Sequence, residues 1–225
     1  MNNPIIVALD VASAAEAHAL VEKLGDAVTL YKVGMELYAA AGIGFVQQLL
    51  GNGKNVFLDL KFYDIPETVK RATAQVAAHG VQLLTVHGSQ AVMRAAVEGR
   101  GDAALRLLAV TVLTSFDKSD LNDLGYPCEV EELVALRVQK ACEAGVDGIV
   151  CSPREAARVR QAMGPEAIIV TPGVRSAGEA KGDQKRVATP GEAMRAGATY
   201  IVAGRQITRA ADPRAEALRI LEEIG

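Results

Sequence analysis

Short apolar runs rich in β-branched residues alternate along the whole chain with longer stretches whose apolar positions recur every three or four residues. The short runs predict strands over 5–10, 30–33, 56–61, 83–87, 106–112, 148–151, 167–171 and 200–203. Between them, Ala17, Leu20, Val21 and Leu24 fall at i, i+3, i+4 and i+7, the apolar stripe of a helix, and Ala217, Ile220, Leu221 and Ile224 repeat it. Helix starts are marked as well. Ser13 with Glu16 has the capping-box spacing. Ser152-Pro153-Arg154-Glu155 combines a cap, a first-turn proline and a glutamate, while Thr189-Pro190 and Asp212-Pro213 repeat the cap-then-proline order. Asp64-Ile65-Pro66-Glu67 has the look of another start, and Gly25 and Gly145 sit where helices should stop.

Strand and helix in strict alternation predict an α/β chain, and eight such units predict a (β/α)₈ TIM barrel. The length, 225 residues, is close to the about 250 typical of that architecture. An open doubly wound sheet is the alternative. It calls for a glycine-rich turn after the first strand, which Asp10-Val11-Ala12-Ser13 lacks. No linker or low-complexity stretch interrupts the pattern, so a single barrel domain over 1–225 is expected.

Composition narrows the function classes. Half the residues are hydrophobic, enough for a large core. Net charge is −3 with no long run of one sign, which gives no footprint for nucleic acid or a membrane surface. The N-terminus has no basic leader and no stretch reaches membrane-spanning length. Cys128, Cys142 and Cys151 are odd in number and lack metal-type spacing, so they read as reduced thiols of a cytoplasmic protein, with Cys142 on the apolar stripe of its helix.

The segment Asp59-Leu60-Lys61-Phe62-Tyr63-Asp64-Ile65-Pro66 carries the most chemistry. Strand side chains alternate faces, so Phe57, Asp59 and Lys61 share one face and Val56, Leu58 and Leu60 the other. A carboxylate and an ammonium thus point where core residues normally sit, which is costly unless they are paired or used. A structural ion pair with Asp64 as a helix cap is one explanation. Lys32, on another strand, makes the charges a cluster and favours a site.

In a barrel, sites form at the C-terminal ends of the strands. Here those ends are Asp10, Lys32, Asp59 with Lys61, His87, residues 111–115, Cys151-Ser152, residues 171–175 and Gly204-Arg205. His87 has a second reading as a satisfied core histidine, and Ser152 as a helix cap. The glycine-containing loop at about 173–188 is too long for an ordinary connection and reads as a lid or a plain surface loop. With Gly204-Arg205 after the last strand it predicts a phosphate site.

These segments together resemble the orotidine 5′-monophosphate decarboxylase family. The likeness lies in Val7-Ala8-Leu9-Asp10, Tyr31-Lys32-Val33-Gly34, the 59–66 motif, residues 110–115, Thr171-Pro172-Gly173-Val174-Arg175 with Gly182-Asp183-Gln184, and Val202-Ala203-Gly204-Arg205. Two departures are local: Ser176 stands where the family often has proline, and Gly88-Ser89-Gln90-Ala91 differs from the small turn common after the His.

The resemblance implies loss of CO₂ from C6 of orotidine 5′-monophosphate in pyrimidine biosynthesis, with no metal or organic cofactor. It implies Lys61 as proton donor, Asp59 beside the substrate carboxylate, and Lys32 holding Asp59 and the ribose. Asp10 and Thr68 then suit ribose hydroxyls, Thr114 and Ser115 the pyrimidine edge, and Arg175, Gln184, Gly204 and Arg205 the phosphate. It also implies a homodimer in which Asp64 and Thr68 enter the partner's site. Three rivals stay open: a metal-dependent sugar-phosphate decarboxylase or synthase of the same barrel group, a Schiff-base aldolase, and a non-catalytic phosphate-binding barrel. Lys32 stands where the first of these would carry an acidic metal ligand.

Overall fold

The computed structural model describes residues 3–177 and 187–225. Eight parallel strands close into a barrel in chain order: β1 (Ile5–Ala8), β2 (Leu30–Gly34), β3 (Asn55–Phe62), β4 (Leu83–His87), β5 (Arg106–Val110), β6 (Gly148–Val150), β7 (Ile168–Thr171) and β8 (Tyr200–Ala203). The β1–β8 pairing, Ile5 opposite Ile201, seals the ring. Around it run α1 (Ala14–Leu24), α2 (Met35–Gly51), α3 (Pro66–Ala78), α4 (Gln90–Arg100), α5 (Lys118–Asp123), α6 (Val130–Ala144), α7 (Ala156–Met163), α8 (Pro190–Arg195), α9 (Arg205–Thr208) and α10 (Pro213–Ile224). The expected (β/α)₈ barrel is the fold, and the open sheet is excluded by closure.

Strand alternation divides the core in two. Ile6, Ala8, Leu30, Phe57, Leu83, Leu108, Val170 and Val202 fill the barrel interior. Their outward neighbours, such as Val7, Val33, Leu58, Leu84 and Ile201, pack with Ala17, Val21 and Leu24 of α1 and with the other helices. Burying one such large side chain is worth about 1.5–3 kcal/mol, so a one-residue slip, which exchanges the faces, is strongly disfavoured.

Most helix signals act as expected. Ser13 Oγ accepts the Glu16 N–H at 3.2 Å, one half of the capping box. Thr189 and Glu192 form a complete box, and Asp212 Oδ1 accepts the Ala215 N–H at 3.0 Å. Gly145 ends α6 with φ 77°, a conformation that favours glycine.

Two expectations are corrected. α7 starts at Ala156 rather than at Pro153. Ser152 and Glu155 do bond reciprocally, through Ser152 N–H to Glu155 Oε2 at 3.0 Å and Glu155 N–H to Ser152 O at 2.9 Å, but they close a separate turn ahead of the helix. Cys142 is exposed, because Val134, Val138 and Ala141 take the buried stripe of α6 and leave position 142 on its edge.

Candidate active site

A cavity of about 740 Å³ opens at the C-terminal mouth of the barrel. Its apolar lining includes Ala8, Phe57, Val150 and Val202 of the interior core, with Val110 beside them. Asp10, Lys32, Asp59, Lys61, Thr114, Ser115, Arg175, Gly204 and Arg205, all expected from strand ends, line it.

β3 departs from regular pairing where the charges lie. Leu58 sits opposite Leu84 and Phe62 opposite Val86, so four steps along β3 match two along β4. The bulge holds Asp59, Leu60 and Lys61. Lys61 has φ 50°, the positive-φ region that residues other than glycine avoid, and such strain persists only where surroundings enforce it. Thr85, in the middle of β4 and fully buried, supplies the enforcement. Its Oγ1 accepts the Lys61 N–H at 2.9 Å and donates to Asp59 Oδ1 at 2.9 Å.

The charged side chains form an alternating row. Asp10 Oδ1 accepts from Lys32 Nζ at 2.7 Å, Lys32 Nζ lies 3.8 Å from Asp59 Oδ2, and Lys61 Nζ donates to Asp59 Oδ1 at 2.9 Å. The Lys32 and Asp59 side chains are only 11% and 15% exposed, so each needs opposite charge close by, which Asp10 and Lys61 supply. Gly34 leaves space for this row: a Cβ there would sit 3.0 Å from Lys32 Nζ and 3.1 Å from Asp10 Oδ1.

The other side of the cavity is cationic. Arg175, in the segment after β7, donates through Nη1 to Val174 O at 2.7 Å. Arg205 opens α9 and Arg209 follows it by four residues, both lining the cavity. Arg209 and Thr85 are among the side chains that strand-end reasoning missed, as are Glu16, Glu36 and Thr208 of the cavity lining. The i, i+4 spacing from Arg205 was a usable signal for Arg209. Thr85 sits inside a strand and reads from sequence as an ordinary β-former.

Several expected residues lie elsewhere. Asp64 does not line this cavity, and the fourth member of the charged row within the chain is Asp10. Nor does Asp64 cap α3 as a helix cap should. It accepts the N–H of the adjacent Ile65 at 2.6 Å, while Ile65 itself takes the cap position. Thr68 is on the outer face of α3, beside Arg71 and Gln75. Gln184 falls outside the described residues.

His87 is in neither expected setting. It does not line the cavity, and its Nδ1 is buried without a hydrogen-bond partner among the described residues. Its ring stacks on Tyr63 with centroids 4.1 Å apart. Burial, with the positive charge of Arg137 second, holds its pKa below the usual imidazole value. Thr111, Cys151 and Ser152 are buried and do not line the cavity.

The row can hold a substrate carboxylate beside Asp59 while presenting an ammonium to the same atom, and the arginines can hold an anion across the cavity. Comparison with known proteins agrees with this layout. Residues 3–220 match the model of the orotidine 5′-phosphate decarboxylase / HUMPS family. The chain is 53% identical over 224 residues to the orotidine 5′-phosphate decarboxylase of Methylobacterium nodulans, covering 98% of this chain and 95% of that one. It is 51% identical to the Caulobacter sp. enzyme of the same name, over 98% and 96%. The crystal structure of orotidine 5′-phosphate decarboxylase from Lactobacillus acidophilus superposes with a TM-score of 0.87 at 35% identity, covering 100% of both chains. Fold, site and relatives agree: the chain belongs to the orotidine 5′-phosphate decarboxylase / HUMPS family.

Proposed function

We propose that this protein converts orotidine 5′-monophosphate to UMP and CO₂, with no metal or organic cofactor, in a single barrel domain over 1–225 of the cytoplasm. The observation that carries this reading is the Asp10–Lys32–Asp59–Lys61 row lining one cavity with Arg175 and Arg205. The row suits the reacting carboxylate and the arginines suit the phosphate. Among the described residues, no helix is long and apolar enough to cross a membrane.

In this reading the C6–carboxylate bond breaks, CO₂ leaves, and the electron pair stays on C6. Lys61 stabilises that charge and then delivers a proton from Nζ to C6. Solvent restores the lysine's proton. Asp59 stands against the departing carboxylate. Two like charges about 4 Å apart at an effective dielectric near 20 repel by about 4 kcal/mol, and the repulsion ends as CO₂ departs. Lys32 holds Asp59 in place. Asp10 binds ribose, Thr114 and Ser115 the pyrimidine edge, and Arg175, Gly204 and Arg205 the phosphate. Gln184 is assigned to the phosphate with them.

A homodimer belongs to the same proposal, with Asp64 and Thr68 entering the partner's site. Support comes from the 63–65 turn, where Tyr63 and Ile65 are each 67% exposed around an Asp64 that serves neither its own cavity nor its own helix. Mixing inactive Lys61→Ala with inactive Asp64→Ala under verified subunit exchange tests it. A shared site restores activity approaching about a quarter of wild type, by two-fold symmetry. No recovery means that Asp64 acts within its own subunit.

The metal-dependent rival requires a divalent cation beside Asp59. Lys32 and Lys61 already place two ammonium groups there, and they would repel one. An ultraviolet assay with orotidine 5′-monophosphate, run with and without chelator, tests the activity. Turnover unaffected by EDTA is expected. Loss in EDTA with rescue by Mg²⁺ would instead support the rival, and no turnover under either condition would leave a binding barrel.

A further inference from the structure

Ser176 follows Arg175 in the chain, and Gln206 follows Arg205. The two neighbours clasp each other. Gln206 Oε1 accepts the Ser176 N–H at 3.3 Å, and Gln206 Nε2 donates to Ser176 Oγ at 2.9 Å. Ser176, 4% exposed, donates its hydroxyl hydrogen bond to Glu223 Oε2 at 2.6 Å. Gln206 Nε2 also donates to Glu216 Oε1 at 2.8 Å, and Arg219 grips that carboxylate at 2.5 and 2.9 Å. Both ends of the clasp are thereby tied to α10. Behind Arg175, its N–H donates to Ala188 O at 3.0 Å, and Val174 bridges to Ala188.

Neither Ser176 nor Gln206 lines the cavity, so they do not touch a ligand there. Their saturated hydrogen bonds act on the residues next to them. Arg175 leaves from a segment with no regular strand or helix, and Arg205 from a four-residue helix. The clasp links these two segments directly through side chains. An anion held by two guanidinium groups gains from both only when their separation matches it.

We propose that the Ser176–Gln206 clasp is a positioning device that sets the spacing of Arg175 and Arg205 and so the strength with which the site holds a phosphate. This rests on the reading of those arginines as the phosphate site. The test compares inhibition constants for UMP and for uridine, which differ by the phosphate alone, in Ser176→Ala, Gln206→Met, the double variant and Arg205→Ala.

Each clasp variant is expected to weaken UMP about fivefold while leaving uridine within about twofold, the usual scale for one neutral hydrogen bond. A variant that merely loosened the fold would weaken both ligands together. Because both residues serve one contact, the double variant should lose little more than either single one. A UMP-to-uridine ratio unchanged in the clasp variants but shifted by Arg205→Ala would overturn the clasp alone. Additive losses in the double variant would overturn it too. A ratio unmoved by Arg205→Ala would remove the phosphate reading and the proposal with it. If Gln206→Met fails to fold, Ser176→Ala, which deletes one oxygen atom, decides.

Discussion

The two sides of the cavity are built differently. The charged row stands on β2, β3 and the residue two past the end of β1, and its inner members are nearly buried and locked by ion pairs and by Thr85. The arginine side stands on the segment after β7 and on α9, with Arg205 exposed and its backbone held through the side chains of neighbours. In the proposed function the difference matches two physical demands. Transition-state stabilisation needs dipoles and charges fixed in advance within fractions of an ångström, which paired strands provide. A phosphate remote from the reacting carbon tolerates a looser grip, because its binding energy acts through closure and orientation.

The sharpest way to break this contrast is at Lys61. Lys61→Ala should cost at least about 10⁴-fold in kcat/KM, since proton delivery and charge stabilisation go together, with the melting temperature little changed. Activity within about tenfold of wild type would remove Lys61 from its assigned role.

Thr85→Val tests whether the row owes its precision to the neighbouring strand. The substitution keeps shape and removes a hydrogen bond to a carboxylate, worth about 1.5–3 kcal/mol. A fall of about tenfold to a hundredfold is expected in kcat, with KM for substrate nearly constant. Thr85→Ser, which keeps the hydroxyl, should recover most of the loss. Equal losses in both variants would mean that Thr85 acts through packing.

Arg205→Ala probes the opposite side. It should weaken orotidine 5′-monophosphate and UMP by about 1.5–3 kcal/mol, measured as inhibition or Michaelis constants, with little effect on uridine. Equal weakening of ligands with and without phosphate would place Arg205 outside the phosphate site.

The smallest effect concerns His87 behind the row. Its folded pKa is lowered from the ordinary 6.5, chiefly by burial, so the unfolded chain takes up that proton first. The contribution to stability is complete above about pH 6.5 and is lost as pH falls through that value towards the lowered folded pKa. His87→Phe keeps a ring against Tyr63 and cannot titrate. Its melting temperature should fall less than that of wild type between about pH 7 and 5.5. Parallel curves would show that another group governs acid loss there.

Much of this contrast was legible before any coordinates. Period-two alternation put Phe57, Asp59 and Lys61 on one face, and the barrel rule carried Lys32, Asp10, Arg175 and Arg205 to the same mouth. What stayed hidden depends on which strand residue lies beside which. Asp10 could not be paired with Lys32, nor Thr85 with the Lys61 backbone, because register across strands is absent from either strand alone. The bulge in β3 was invisible for the same reason: two extra residues are extra only relative to β4.

Local periodicity and capping chemistry, being short-range, therefore determined the alternating strands and helices and the residue types at the strand ends, while closure and strand order came from the structure. Tertiary structure alone decided how these became a machine. It set the order of the charged row, the enforced backbone at Lys61, the stacking of His87 on Tyr63 and the Ser176–Gln206 clasp. Each of these is a contact between segments whose sequence separation carries no signal. Each is settled by how much space and charge the closed barrel leaves at that point.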